Sequence, residues 1–450
     1  MRRASLLVVV ALLALAAGPQ PRLGSARGPR GEALAAPSPL DPRDRLLYER
    51  ALRIGRAVSR KHVSPEGVLA YIHKPGATPE QLSHDALSKA DTGIWTGCYA
   101  ASVACRYAAT RDAESLAEAR RVAAGLDLLS AVTGQEGAVS RAVGRPLPSE
   151  PLPKHCRPSP LRNGLYYRDD PSRDTLSGIV LGWDFLARFV DDPEVRAYAG
   201  KNLLAIARRL YGGGMQLRDV DGKVTTFGEL HPSLALGLVR VGEHASIGLA
   251  TILAGARWGG RSDLWDAWRR LDKQGWVDAL NDQNLWTAAF KNPASDWNMV
   301  HLALLVVAME GEGKPKRHVM AALRDFRRRT QGWQNGSYLA CALLSGQQVD
   351  RDGTVAELRE ALLSMPPEDG PFVGTQVVRR SGIVPLARRP VNEWAWKQRV
   401  NAEEVGREAA ALDPYVTFTR ADFLFAYWLA RAAGELDPGP VPAGPVPAGR

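Results

Sequence analysis

The chain has 450 residues, 45% of them hydrophobic and 24% charged, so most of it can pack into a core and disorder of its bulk is excluded. Its net charge of +10 would suit a nucleic-acid partner, but no basic run is interleaved with aromatic residues as in proteins that bind single strands. We therefore expect no nucleic-acid partner.

The N-terminus has the three parts of a secretory signal peptide. Arg2 and Arg3 precede an apolar stretch over residues 6–17, and small residues follow at 24–26. We predict a signal peptide over residues 1–26 and export to the periplasm or the extracellular space. The apolar stretch is too short to favour a membrane span, and no later stretch is long enough, so we expect no membrane span.

Two segments without a periodic apolar pattern flank the predicted domain. Residues 27–42 are rich in Pro, Gly and Ala, which indicates a flexible linker. Residues 437–450 repeat the motif Gly-Pro-Val-Pro-Ala, which predicts a disordered tail. The residues between these segments, 43–436, are predicted to form a single domain.

Helical periodicity starts with the domain. Apolar residues recur at helical spacing over 43–61, which predicts an amphipathic helix, and residues 68–73 predict a short strand or an extended arm. A helix of small residues over 91–109 comes next, followed by a helix over 114–132 that carries Arg and Glu. Small residues let helices approach closely, so we predict an inner helix followed by an outer helix.

The clearest α-hairpin lies within residues 166–211. Its first helix is apolar on more than one side, which predicts enclosure, whereas its second helix has one apolar stripe and a charged opposite face. The turn between them carries Asp192 and Pro193, and Asp suits a helix cap while Pro suits the first helical turn. We therefore predict another pair of inner and outer helices.

The rest of the domain repeats this pattern. Inner helices are predicted to begin near Glu243, Ser295 and Gly336, each with an outer partner, and the last helix, 421–433, can pair with the first. Residues 215–227 predict a small β-hairpin. Six α-hairpins predict an all-α fold, an (α/α)6 toroid with a β-hairpin decoration, with an open superhelix of helix pairs as the alternative.

The four cysteines leave two possibilities open. Cys98 and Cys105 lie seven residues apart on one predicted helix, about 10.5 Å along its axis, so they cannot bridge to each other. Each could pair with Cys156 or Cys341, or all four could be buried thiols. His155 beside Cys156 lacks a second close ligand pair, so we expect no metal and no cofactor.

In a toroid the residues that open the inner helices meet at one end. The acids at these starts include Asp91, Asp174, Glu243 and Asp296, and they are candidates for catalysis because glycosidic cleavage needs paired acids and sugar rings stack on aromatic faces. The alternative is that such an Asp only caps its helix. The candidate substrate-binding residues are Trp95, Arg173, His244, Asp296, Trp297, Asn298, Trp394 and Tyr415.

Two short motifs carry a resemblance to a known family. Asp91-Thr92-Gly93 and Arg173-Asp174-Thr175 resemble the two aspartate-bearing helix starts of the unsaturated glucuronyl and rhamnogalacturonyl hydrolases. The wider pattern is similar to exported bacterial proteins of the six-hairpin glycosidase-like group. The resemblance implies that one aspartate is the general acid and base that hydrates the vinyl ether of an unsaturated uronic acid, while the other assists, without metal.

Three functions follow as hypotheses. The first is an exported glycoside hydrolase that uses Asp91 and Asp174 on an oligosaccharide or polysaccharide, with acidic glycans among the candidates. The second is a lyase or epimerase on uronic-acid polymers, which would use His244 with a tyrosine such as Tyr415 and an arginine. The third is a non-catalytic protein that binds a glycan or the cell envelope.

Overall fold

The computed structural model describes residues 41–234, 239–282, 294–347, 349–365 and 417–439. The described residues belong to one compact unit. The predicted signal peptide and nearly all of the predicted linker and tail lie outside the described residues. None of the described helices is long and apolar enough to cross a membrane.

Helices make up most of the described chain. The predicted all-α fold is confirmed, because the strands are short and few of the described residues belong to them. In chain order the helices are α1 (Pro42–Lys61), α2 (Pro79–Ser88), α3 (Thr92–Thr110), α4 (Ala113–Ala131), α5 (Arg173–Phe189), α6 (Pro193–Gly212), α7 (Gly242–Gly259), α8 (Ser262–Lys273), α9 (Trp276–Ala279), α10 (Ala294–Glu310), α11 (Gly313–Arg329), α12 (Gly336–Leu344), α13 (Arg351–Ser364) and α14 (Ala421–Ala432).

The strands form small antiparallel sheets that decorate the helices. β5 and β6 pair with each other and are the predicted β-hairpin. β1 pairs with β9, β4 lies between β2 and β3, and β7 pairs with β8. The strands are β1 (Ile72–His73), β2 (Ala142–Gly144), β3 (Cys156–Pro158), β4 (Tyr166–Arg168), β5 (Gln216–Arg218), β6 (Val224–Glu229), β7 (Ser233–Leu234), β8 (Val239–Arg240) and β9 (Thr417–Phe418).

Local sequence explains the turn between α5 and α6. The Asp192 side chain accepts a hydrogen bond from the backbone N–H of Val195, and Pro193 is the first residue of α6. Asp192 also accepts from Arg120 Nη2 at 2.6 Å, which joins the turn to α4. The predicted cap and proline are therefore confirmed at this turn.

Six helices rich in small or apolar residues contact one another in a cyclic order. α3 packs against α5, α5 against α7, α7 against α10, α10 against α12, α12 against α14, and α14 against α3. The last of these contacts joins the final described inner helix to the first one. The outer helices α4, α6, α8, α11, α13 and α1 each contact an inner helix, as the pattern of paired helices predicts.

Glycine makes the contact between α3 and α5 possible. A Cβ atom on Gly97 would lie 1.9 Å from the carbonyl oxygen of Gly178, and a Cβ atom on Gly178 would lie 2.4 Å from Ile94 Cα. Both distances are far below van der Waals contact, so any larger residue would force the helices apart. The two helices therefore run side by side from their first turns.

Two local predictions differ from the structure. The outer helix predicted over 262–279 is broken, because Gly275 has a φ of 82° in the left-handed region that ends a helix. An additional helix, α2, begins after Thr78, whose side chain forms a capping box with Gln81.

All four cysteines are free thiols. Cys98, Cys105 and Cys341 are buried, and Cys156 is half-buried in β3. Of the two possibilities left open by the sequence, the structure therefore has the free thiols.

Candidate functional site

Asp91 stands immediately before α3 but does not cap it. Its φ and ψ are −104° and 13°, outside the extended region that a capping residue usually adopts, and its side chain accepts no capping hydrogen bond from the first turn. Its Oδ1 atom instead lies 3.4 Å from Arg141 Nη2. The Asp91 carboxylate is therefore directed toward an arginine rather than toward its own helix.

Asp174 lies inside the first turn of α5, where it is not the capping residue either. The cap is Ser172, whose hydroxyl accepts a hydrogen bond from the backbone N–H of Thr175. Asp174 is partly exposed. Negative charge in the first turn is favoured by the helix dipole, so the Asp174 carboxylate is stable here without serving as a cap.

The two aspartates belong to adjacent helix starts. A Cβ atom on Gly93, two residues after Asp91, would lie 2.9 Å from the Cγ2 atom of Thr175, which follows Asp174 directly. The contact between the helices extends into their first turns for this reason. The structure therefore brings together the two segments that carry the predicted catalytic pair.

Arg141 joins these helix starts, and sequence reasoning missed it. Its guanidinium donates from Nε to the carbonyl oxygen of Ala90 at 3.0 Å and from Nη1 to that of Asp170 at 3.4 Å. Its own carbonyl accepts from the N–H of Gly93 at 2.7 Å. Arg141 lies in a loop without periodicity, and most of its partners are backbone atoms, so no sequence pattern marks it.

Arg173 connects the start of α5 to the start of α7. Its Nη1 atom donates to His244 Nε2 at 2.7 Å and to the carbonyl oxygen of Glu229 at 3.4 Å. Its Nε atom lies 3.2 Å from Glu243 Oε1, an ion pair without hydrogen-bond geometry. Two predicted site residues, Arg173 and His244, are thus in direct contact.

His244 uses both ring nitrogens. Its Nδ1 atom lies 3.0 Å from the carbonyl oxygen of His231, which can only accept, so Nδ1 carries the proton and Nε2 accepts from Arg173. Burial, together with the positive charge of Arg173, lowers the pKa of His244 to about 4. His244 is therefore a neutral histidine that holds Arg173 in position.

Of the predicted aromatic platforms, the two that the structure describes are buried or half-buried. Trp95 is fully buried and packs edge-on against Tyr71, so a sugar ring could reach it only if neighbouring residues moved. Trp297 is half-buried and stacks on Trp333, with ring centroids 5.5 Å apart. Asn298 is buried as well. These three residues belong to the core around α3 and the start of α10.

The remaining predicted residues cannot be placed. Asp296 belongs to α10, but its side chain is outside the described part of the chain. Trp394 and Tyr415 lie outside the described residues altogether. Within the described ranges, no group of three or more His, Cys, Asp or Glu residues is arranged to hold a metal ion.

Comparisons with protein-family models, with curated proteins and with solved structures found no match to this chain. The resemblance to the unsaturated glucuronyl and rhamnogalacturonyl hydrolases therefore stays a prediction that depends on two short motifs.

Proposed function

We propose that this protein is an exported glycoside hydrolase in which Asp91 and Asp174 form the acid/base pair at the mouth of an (α/α)6 toroid. One observation carries the proposal. Both carboxylates stand at the starts of adjacent inner helices, and neither acts as the cap of its helix. The capping alternative, which would explain them without any function, therefore does not account for either residue.

The surroundings suggest a role for each carboxylate. Arg141 makes a charge-assisted hydrogen bond to Asp91, and such bonds stabilise the ionised form. Asp91 is therefore assigned as the base or nucleophile. This assignment leaves Asp174 as the acid that protonates the leaving oxygen, although the helix dipole by itself favours the ionised form of Asp174. This division follows the usual use of two carboxylates in glycosidases, one charged and one carrying a proton.

An acidic glycan is the proposed substrate class. The net charge of +10 attracts polyanions at low ionic strength. Arg141 pairs with Asp91, and Arg173, which precedes Asp174 in the chain, pairs with Glu243; a uronate carboxylate could bind to these two positive charges. These charges support the choice of substrate, and the two aspartates support the choice of reaction.

The lyase or epimerase alternative is less well supported. It requires His244 to take a proton from the substrate, but the acceptor nitrogen of His244 already receives a hydrogen bond from Arg173. The low pKa of about 4 further weakens His244 as a base, since a base works best when its pKa is near the operating pH.

The test is a screen of uronate-containing and neutral oligosaccharides with the wild type, Asp91→Asn and Asp174→Asn. Asn keeps the shape of Asp but cannot transfer the proton, so turnover should fall about 100-fold or more. The melting temperature should hardly change. Asp112→Asn is the control, because Asp112 caps α4 outside the proposed site, and its turnover should equal that of the wild type.

Two outcomes would overturn the proposal. If the wild type binds an oligosaccharide but cleaves none, and binding survives in both Asn variants, the protein is a glycan-binding protein. If both Asn variants keep their turnover while His244→Gln loses it, the lyase or epimerase hypothesis takes precedence.

A further inference from the structure

A cavity of about 440 Å³ lies between the second half of α11 and the start of α13. One wall consists of arginines from α11, and the other consists of residues from the loop that joins α12 to α13 and from the first turns of α13. None of its residues belongs to the cluster around Asp91 and Asp174. The lining residues used below are Arg324, Arg327, Arg328, Gln347, Thr354 and Glu357.

Gln347 is the unusual residue of this cavity. Its side chain is 6% exposed, and neither its Nε2 nor its Oε1 atom has a hydrogen-bond partner among the described residues. A buried amide without partners is costly, because the hydrogen bonds that it made to water are not replaced. Gln347 lines the cavity, and although both amide atoms are buried, a bound molecule could supply the missing bonds once the side chain turns toward it.

The arginines on the opposite wall share one face of α11. Arg324, Arg327 and Arg328 have the spacing i, i+3 and i+4, which places them together on the helix surface. Arg328 is occupied by an ion pair with Asp325. Arg327 donates from Nη2 to Glu357 Oε2 at 2.7 Å.

One exposed guanidinium group keeps its donors for a ligand, and a second has an unpaired donor that is buried behind the cavity surface. Arg327 Nη1 is buried and has no hydrogen-bond partner within the described chain. Arg324 is exposed, and its guanidinium makes no ion pair with any described residue. Guanidinium donors match the geometry of carboxylate or phosphate oxygens. The cavity therefore offers a positive wall that faces an amide.

The ligand must form hydrogen bonds with the side chains of both walls. An anionic group is needed at Arg324 and Arg327, and the Gln347 amide requires one acceptor and one donor close to that anion. A simple anion such as acetate has no donor, and a neutral sugar has no charge. A hydroxyl group next to a carboxylate or a phosphate supplies all three.

We propose that this cavity is a binding site for a small hydroxylated anion, such as a sugar acid or a sugar phosphate. Arg324 and Arg327 bind the anionic oxygens, and Gln347 binds the neighbouring hydroxyl. The site goes beyond the proposed hydrolase activity and does not depend on it, since the two share no residue.

The test is calorimetric titration of the full chain with four probes: glucuronate, glucose 6-phosphate, acetate and glucose. Glucuronate or glucose 6-phosphate should bind at least about tenfold more tightly than acetate or glucose. Acetate can pair only with the arginines, and glucose can form hydrogen bonds but carries no charge. The stronger of the two hydroxylated probes identifies the anionic group. Equal affinity for all four probes would overturn the proposal.

Three variants make the test specific. Gln347→Met keeps the volume but removes the unpaired amide, so affinity should fall about tenfold while the melting temperature stays equal or rises. Arg324→Gln should weaken binding by a similar factor without affecting stability. Arg317→Gln is the matched control, because Arg317 is exposed on the same helix outside the cavity and its loss should leave affinity unchanged.

Unchanged affinity in both Gln347→Met and Arg324→Gln would overturn the proposal. A clear loss of stability in Gln347→Met would also count against it, since that result would mean that the amide is paired inside the protein. If Gln347→Met does not fold, Arg324→Gln still decides, because its exposed side chain is not needed for packing. Binding that is lost only in Asp91→Asn would place the probe at the proposed active site.

Discussion

Helix α5 carries two aspartates in contrasting surroundings. Asp174 lies in the first turn and is partly exposed, whereas Asp184, about 15 Å further along the axis at 1.5 Å per residue, is fully buried. Asp184 Oδ1 accepts a hydrogen bond from Trp258 Nε1 at 2.9 Å. The same residue type on the same helix therefore meets water at one end and the protein core at the other.

The buried end of the helix holds its charges in a closed network. Burial raises the pKa of Asp184 well above its usual value of 3.8, and the neighbouring Glu310 raises it further. The core therefore favours the neutral form of Asp184, which can donate a hydrogen bond to Glu310. Arg188 donates to Glu310 and, at 3.2 Å, to the carbonyl oxygen of Met309. This network joins α5, α7 and α10, and it is structural.

The comparison shows how to separate structural acids from candidate catalytic ones. The presence of Asp184 is accounted for by its hydrogen-bond partners inside the core, so replacing it should change the stability of the fold. Asp174 and Asp91 are not explained by capping, and they occur where two inner helices begin side by side. Function is therefore to be sought at the helix starts, and three experiments test that distinction.

The largest effect is expected from Gly97→Ala. The added Cβ would clash with the carbonyl oxygen of Gly178, so α3 and α5 must separate, and the free energy of unfolding should fall by about 3 kcal/mol. Gly212→Ala, at the end of α6 with no atom within 4 Å of the added Cβ, is the control and should be neutral or slightly stabilising. If the two variants were equally stable in chemical denaturation, the close packing of α3 against α5, and with it the adjacency of their starts, would be contradicted.

Asp184→Asn should reveal the buried acid pair through its pH dependence. The pKa of Asp184 is higher in the folded protein than its value of 3.8 in the unfolded chain. Its contribution to stability is therefore fully present below pH 3.8 and is lost as the pH rises through the pKa of the folded state. Asn keeps the acceptor for Trp258 and offers a permanent N–H to Glu310. The free energy of unfolding of the variant, relative to that of the wild type, should therefore increase with pH, by about 1 to 3 kcal/mol near neutral pH.

The measurement for Asp184→Asn is denaturant unfolding at several pH values between about 5 and 8. Asp263→Asn is the opposite control, because its hydrogen bond from Arg208 lowers the pKa of Asp263. The stability that Asp263 contributes is lost as the pH falls. The stability of Asp263→Asn relative to the wild type should therefore not increase toward neutral pH. A flat difference between Asp184→Asn and the wild type would show that Asp184 is ionised in the core.

The smallest effect is expected when alanine replaces either a capping aspartate or one that does not cap its helix. Asp112 accepts a hydrogen bond from the N–H of Ser115 at 2.6 Å, so Asp112→Ala should cost about 1 kcal/mol and leave turnover unchanged. Asp91→Ala breaks no capping bond, so it should cost less stability while abolishing turnover. A full capping cost for Asp91→Ala with turnover retained would contradict the proposed function.

Much of the fold could be predicted because its signals are local. The alternation of small-residue helices with striped helices follows from helical periodicity, and Asp192-Pro193 marks a helix start through the chemistry of its own side chains. The break at Gly275 and the strands β2 to β4 were missed. The break depends on a positive φ, and those strands of three residues are too short for a periodic pattern.

The sequence by itself determined most of the segments that become helices, which of them are enclosed, and that acids stand at their starts. It could not determine what those acids do, because Asp91 and Asp112 look alike as Asp residues that precede a helix. Asp112 has extended backbone angles, with φ −78° and ψ 151°, and caps α4. Asp91 has a ψ of 13°, and Arg141, fifty residues later, approaches its carboxylate. Only the tertiary structure decides this difference, since capping requires a backbone geometry and a set of neighbours that the local sequence does not specify.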